Sequence, residues 1–150
     1  MKFFVLLMFL SFLVFSCNSD ILPKPKPYLK LQYPENTYQK INSQCPYNFD
    51  ISKIASIGFK NNCWATIEYP TLKASLDITY RKIDNNLREL FVESEKLVFK
   101  HAVKADQISS NDYSNSDKRV FGTLHEITGN AASQIQFHIT DSTHHFIKGA

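Results

Sequence analysis

The sequence predicts an α+β domain, a mainly antiparallel sheet with one amphipathic helix packed on a face. Three observations carry that expectation. Leu76, Ile78 and Tyr80 alternate with Asp77 and Thr79, the period-two pattern of a half-buried antiparallel strand. From about Leu87 to Ala105 the apolar residues recur instead at helical spacing. The aromatic content is high and, with 7 Tyr and 12 Phe in 150 residues, suits strands.

The elements follow in chain order. Lys2 precedes an apolar run from Phe3 to Phe15, which is too short to span a bilayer and fits the h-region of a signal peptide. Val14-Phe15-Ser16-Cys17 closes it in the manner of a bacterial lipobox, with bulky Phe15 a departure from that pattern. Residues 1–16 are therefore expected to be a lipoprotein signal peptide, and Cys17 to be acylated and to become the new N-terminus. In 17–27, Pro23, Pro25 and Pro27 alternate with Lys24 and Lys26, a polyproline-II spacer of about 3.1 Å per residue. Its two lysines would gain only about 1 kcal/mol each at anionic headgroups. Residues 28–150 make one domain, long enough to bury a core.

Cysteine arithmetic agrees with the lipid site. Three cysteines are an odd number for an exported chain, and acylating Cys17 leaves Cys45 and Cys63 as an even pair. They are read as a disulfide, with two free thiols as the other reading. Formal charge is near balance at +3, which supplies no clustered basic face for nucleic acid.

Within the domain, Tyr28 to Tyr33 alternates up to Pro34, and Pro46–Ile51 and Ile54–Phe59 flank a polar break. Cys63–Tyr69 and Ala74–Tyr80 form a hairpin through Pro70, Thr71 and Leu72. Asn86 and Glu89 have capping-box spacing at the helix start, and Leu87, Leu90, Phe91, Leu97, Val98, Ala102 and Ala105 make the expected buried stripe. Lys96, Lys100 and Lys104 read as a solvated row near the helix C-terminus. Asp106–Lys118, rich in Ser, Asn and Asp, is expected to be mostly surface loop. Arg119–Ile127 and Gln134–Thr140 are strands, reversed at Gly129-Asn130. His144–Ala150 begins another strand with no turn residue or polar tail after it. That leaves open a chain lacking its C-terminal strand and helix.

Candidate chemistry is sparse. There is no Gly-rich nucleotide loop, no His-Glu-x-x-His and no Cys-x-x-Cys, so no cofactor or metal is expected. His101 is expected beside the helix stripe, and His125 and His138 as face residues of opposed strands. Asp141-Ser142-Thr143-His144-His145 brings acid, hydroxyl and base together in sequence, but adjacency is not a triad. In a strand His144 and His145 point to opposite faces, and a turn capped by Asp141 and Ser142 accounts for the same residues.

Several strings resemble the gliding-motility lipoprotein family GldD. They include Pro23-Lys24-Pro25-Lys26-Pro27-Tyr28-Leu29, Cys45-Pro46, Cys63-Trp64 and Tyr69-Pro70. Further on come Lys100-His101-Ala102-Val103-Lys104-Ala105-Asp106, Gly129-Asn130-Ala131-Ala132-Ser133 and Thr140-Asp141-Ser142-Thr143. The resemblance runs through nearly all of the mature chain in one order, with Gln134 standing where relatives tend to have proline. It implies an envelope lipoprotein needed for gliding and linked to type IX secretion, with no catalytic residue. It also implies a chain that runs on beyond Ala150 through the rest of a strand and an amphipathic helix. The expected partners are the bilayer, through acylated Cys17, and other gliding and secretion proteins of the envelope. Asn18 carries no inner-membrane retention signal, so the outer membrane is expected. An envelope small-ligand binder or hydrolase using the Asp141–His145 region is the alternative.

Overall fold

A computed structural model describes residues 35–100 and 103–150 of the chain. The signal peptide, Cys17, the tether, the Tyr28–Tyr33 strand and His101 lie outside the described residues. Two short strands, β1 (Tyr38–Lys40) and β2 (Asp50–Ser52), pair as an antiparallel ribbon. The remaining strands are β3 (Ser56–Phe59), β4 (Ala65–Tyr69), β5 (Ala74–Lys82), β6 (Ala105–Asn115), β7 (Val120–Gly129), β8 (Ile135–Thr140) and β9 (His145–Gly149). They form one sheet in the order β3-β4-β5-β9-β8-β7-β6, antiparallel at every pairing. After β5 the chain crosses through helix α1 (Leu87–Phe99) to the far edge, then returns by meander until β9 slots between β5 and β8. The sheet and its covering helix agree with the expected α+β class.

Local chemistry explains the punctuation. Between β4 and β5, Pro70–Leu72 makes a single 3-10 turn, and Lys73 closes it at φ 50°. Gly129 sits at φ 99°, a left-handed conformation that glycine adopts without a Cβ penalty. Asn86 precedes α1, yet its side chain does not cap the helix; Oδ1 instead accepts the Asp84 N–H at 2.9 Å.

Three expectations fail in detail. Most of Asp106–Lys118 is strand, not loop: β6 pairs with β7 from Ala105 to Asn115, with one irregularity near its start. Ser, Asn and Asp suit a solvent-facing edge strand whose ladder is supplied by its neighbour, and that pairing overrides weak intrinsic preference. The helix stops at Phe99, so Ala105 belongs to β6. Leu97 is 40% exposed, and Ser94 lies with Leu90 and Val98 on the buried stripe.

The sheet is covered on both sides. On one side α1 packs Leu90, with Leu87 and Phe91, against Ile83 and Phe146. On the other, the segment carrying β1 and β2 lays Ile51, Ala55 and Phe49 over Ala65, Ile67 and Ile78. Cys45 and Cys63 are joined by a disulfide at a Cα–Cα distance of 5.5 Å, tying that segment to the start of β4. The Tyr47 hydroxyl donates to the Cys63 carbonyl at 2.6 Å beside it. The bridge spans 18 residues, which the chain-entropy account values at about 3 kcal/mol. Cys45→Ser/Cys63→Ser is therefore expected to lower unfolding free energy by about that amount. A change under about 1 kcal/mol in urea titration would mean the covering segment holds without its staple.

Candidate functional site

Asp141 to His144 form a tight turn between β8 and β9, and Asp141 organises it. Its Oδ1 accepts the N–H groups of Thr143, His144 and His145 at 3.0, 2.8 and 2.8 Å, and Oδ2 accepts the Thr143 hydroxyl at 3.1 Å. Thr140 adds a second clasp, its hydroxyl donating to the His145 carbonyl and accepting the Ser142 N–H. Burial pushes the Asp141 carboxyl up, but the bonds from His145, His144 and Thr143 outweigh it and hold the group well below the usual carboxylate range. The cluster does converge around one carboxylate, and what it converges on is a turn.

The two histidines of this turn part company, but not in the way alternation predicts. His144 lies in the turn ahead of β9, so strand geometry does not govern it, and its ring centroid is 6.0 Å from that of His145. His144 is exposed, with Nδ1 2.9 Å from the Thr143 hydroxyl. His145 faces the sheet surface opposite α1, where Nδ1 shares a 2.9 Å hydrogen bond with the Tyr80 hydroxyl. Burial, and then the Asp141 charge, push the Tyr80 phenol up, so it keeps its proton at neutral pH.

That same surface carries a trough of about 850 Å³. Its floor is Ile67, Leu76, Ile78, Ile147, Ile139 and Phe137, from four successive strands, β4, β5, β9 and β8. Tyr47, Phe49 and Ile51 overhang it from the β2 side. At the other end stand Lys118 and Arg119 from the β6–β7 turn, and Arg119 donates to the Thr143 hydroxyl at 3.2 Å. Asp141 and His145 also line it, so the one polar cluster picked out in the sequence flanks a mostly apolar cleft. The volume lies within the roughly 300–1,000 Å³ range of small-molecule sites.

Sequence reasoning missed this trough because its residues are ordinary strand apolars. One signal was present. On β8, Ile135, Phe137 and Ile139 alternate with Gln136, His138 and Thr140, and the polar set is the more deeply buried, at 7%, 4% and 3% exposure. Of these polar residues His138 meets Phe91 of α1, while Ile135, on the opposite face, is left 51% exposed.

Beneath α1, His125 and His138 are both buried, with ring centroids 6.1 Å apart. His125 Nδ1 lies 2.8 Å from the Ser110 hydroxyl, and among the described residues neither His125 Nε2 nor His138 Nδ1 has a hydrogen-bond partner. His138 stacks on Phe146 at 5.8 Å and meets the edge of Phe91 at 5.0 Å. Burial, and then the neighbouring His125, push His138 below the ordinary 6.5, against weaker opposing pulls from Glu95 and Asp112. Among the described residues no group of three or more His, Cys, Asp or Glu could hold a metal ion.

A pH dependence follows from these two shifts. The unfolded chain takes up a proton at His138 below about 6.5 while the native chain resists it, so stability falls as pH drops through that value. Asp141 adds a second loss, because stability present above 3.8 disappears as the pH falls further and the carboxylate protonates. The urea midpoint is expected to be lower at pH 5.5 than at pH 7.5, and His138→Gln to flatten that step. An unchanged midpoint in the parent chain would contradict the burial of a neutral His138.

A family model described as gliding motility lipoprotein GldD matches residues 18–150. No curated protein and no solved structure gives a match.

Proposed function

Since the chain belongs to the gliding motility lipoprotein family GldD, a lipid-anchored envelope location follows, and we propose that it acts there without catalysis. In this reading it supports the assembly or stability of the gliding machinery and of the type IX secretion apparatus linked to it. Cys17 carries the lipid, in the outer membrane. The observation that carries the reading is the family match across 18–150, beginning one residue after Cys17. The structure of Asp141 adds to it: a carboxylate engaged by three backbone N–H groups stabilises a turn and is poorly placed to act as a base.

In-cell crosslinking of the lipidated protein, followed by identification of what is captured, tests this. Motility or secretion components are expected, and their absence from the captured set would count against the reading. Cys17→Ala is expected to move the protein from the membrane pellet to the soluble fraction. Retention in the pellet without acyl label would place the anchor in an uncleaved N-terminal segment.

A second reading, an envelope small-ligand binder, is favoured by one observation. The apolar trough beside Asp141 and His145 is a concave cleft with polar groups at one end, not a flat contact patch.

A further inference from the structure

We propose that the trough opposite α1 binds a single long-chain fatty acid, its hydrocarbon tail along the strands' apolar face and its carboxylate at Lys118 and Arg119. This rests on the ligand-binding reading of the trough and names the ligand class.

On β8 the usual cover is inverted: Gln136, His138 and Thr140 are buried, while Phe137 and Ile139 are only partly covered and line the trough. An apolar face left more open than the polar face of the same strand is suited to an apolar occupant. The open part of the trough, from half-buried Leu76 on β5 to half-buried Val120 on β7, crosses three interstrand spacings, roughly 14 Å, which takes most of an extended long acyl chain.

Lys118 and Arg119 are both exposed at one end, and neither forms a salt bridge among the described residues. Asp141 and Asp50 are the carboxylates on the lining. Asp141 already accepts four hydrogen bonds from its own turn, and exposed Asp50, on β2, makes no salt bridge with either cation among the described residues. The two cations are therefore left to receive an anionic head, and an Arg–carboxylate contact has the geometry for paired hydrogen bonds.

The test uses the full mature chain carrying Cys17→Ser, so that no acyl group of its own competes. Palmitate, hexadecanol and hexadecyltrimethylammonium are each titrated against a bound fluorescent fatty acid. Saturable palmitate binding at about one per chain is expected, tighter than hexadecanol by about tenfold and tighter still than the cationic analogue. Lys118→Glu/Arg119→Glu, which changes exposed residues, is expected to remove the advantage of palmitate over hexadecanol. Ile147→Trp is expected to block all three probes, with the near-ultraviolet spectrum checking that the fold persists.

Equal binding of palmitate and hexadecanol, or a palmitate advantage that survives the double Glu variant, overturns the fatty-acid assignment and leaves a ligand site. No saturable binding of any probe overturns both.

Discussion

Phe146→Ala should lower the stability of the domain by about 3–5 kcal/mol, the cost of truncating a fully buried aromatic side chain. Phe146 is 1% exposed and sits where helix and sheet meet. Phe91 from α1 packs against it edge-on at 5.6 Å, and His138 from β8 stacks on it at 5.8 Å. Removing the ring leaves a cavity touching three elements and strips one wall from a histidine whose Nδ1 has no partner among the described residues. Leu87, Leu90 and Phe91 also pack α1 against Ile83, Val98 is fully buried, and the Lys148–Glu93 ion pair joins β9 to α1 with Glu93 half exposed. A pair of that kind contributes at most about 1 kcal/mol. Urea unfolding followed by far-ultraviolet circular dichroism measures the loss. A decrease under about 1 kcal/mol would show that α1 is held by something other than Phe146.

Gly122→Ala should cost about 3 kcal/mol, large for the addition of one methyl group to a strand. A Cβ at Gly122 would collide with the His138 carbonyl oxygen and lie 3.1 Å from the Ile139 Cα. Both are backbone atoms of the neighbouring strand and cannot swing aside as a side chain can. The β7–β8 ladder would have to open at Gly122–Ile139, next to the register that places His125 and His138 under the helix. By contrast, nothing lies within 4 Å of a Cβ at Gly58, so Gly58→Ala serves as the mild control. Equal stabilities for the two variants would contradict the close approach of β7 and β8.

The contrast between β6 and α1 shows how the chain could be read. The helix was legible because Leu87, Leu90 and Val98 repeat at its own period and are neighbours in sequence, so local spacing carries the signal. Its end was not, because nothing in Lys100–Ala105 marks where helical pairing yields to β6. β6 itself was hidden, since Asp112, Ser114 and Asn115 do not favour strands and gain their ladder from β7. The turn at Asp141 was readable as a turn, because its acceptors and donors lie within four residues of one another. What it flanks was not.

By itself, the sequence carried the class of fold, the period of each strong element, the Cys45 and Cys63 pair, and a family resemblance that the family match bears out. These rest on local spacing, or on strings that can be matched without knowing what touches what. Tertiary structure alone decided which face of each strand is covered. Alternation shows that β8 has a polar and an apolar face, but not that Gln136, His138 and Thr140 would be the buried set while Ile139 opens on a trough. That choice depends on β9 inserting between β5 and β8, a pairing between segments more than sixty residues apart. No spacing along the chain encodes it, because burial is fixed by whichever element arrives to cover the sheet.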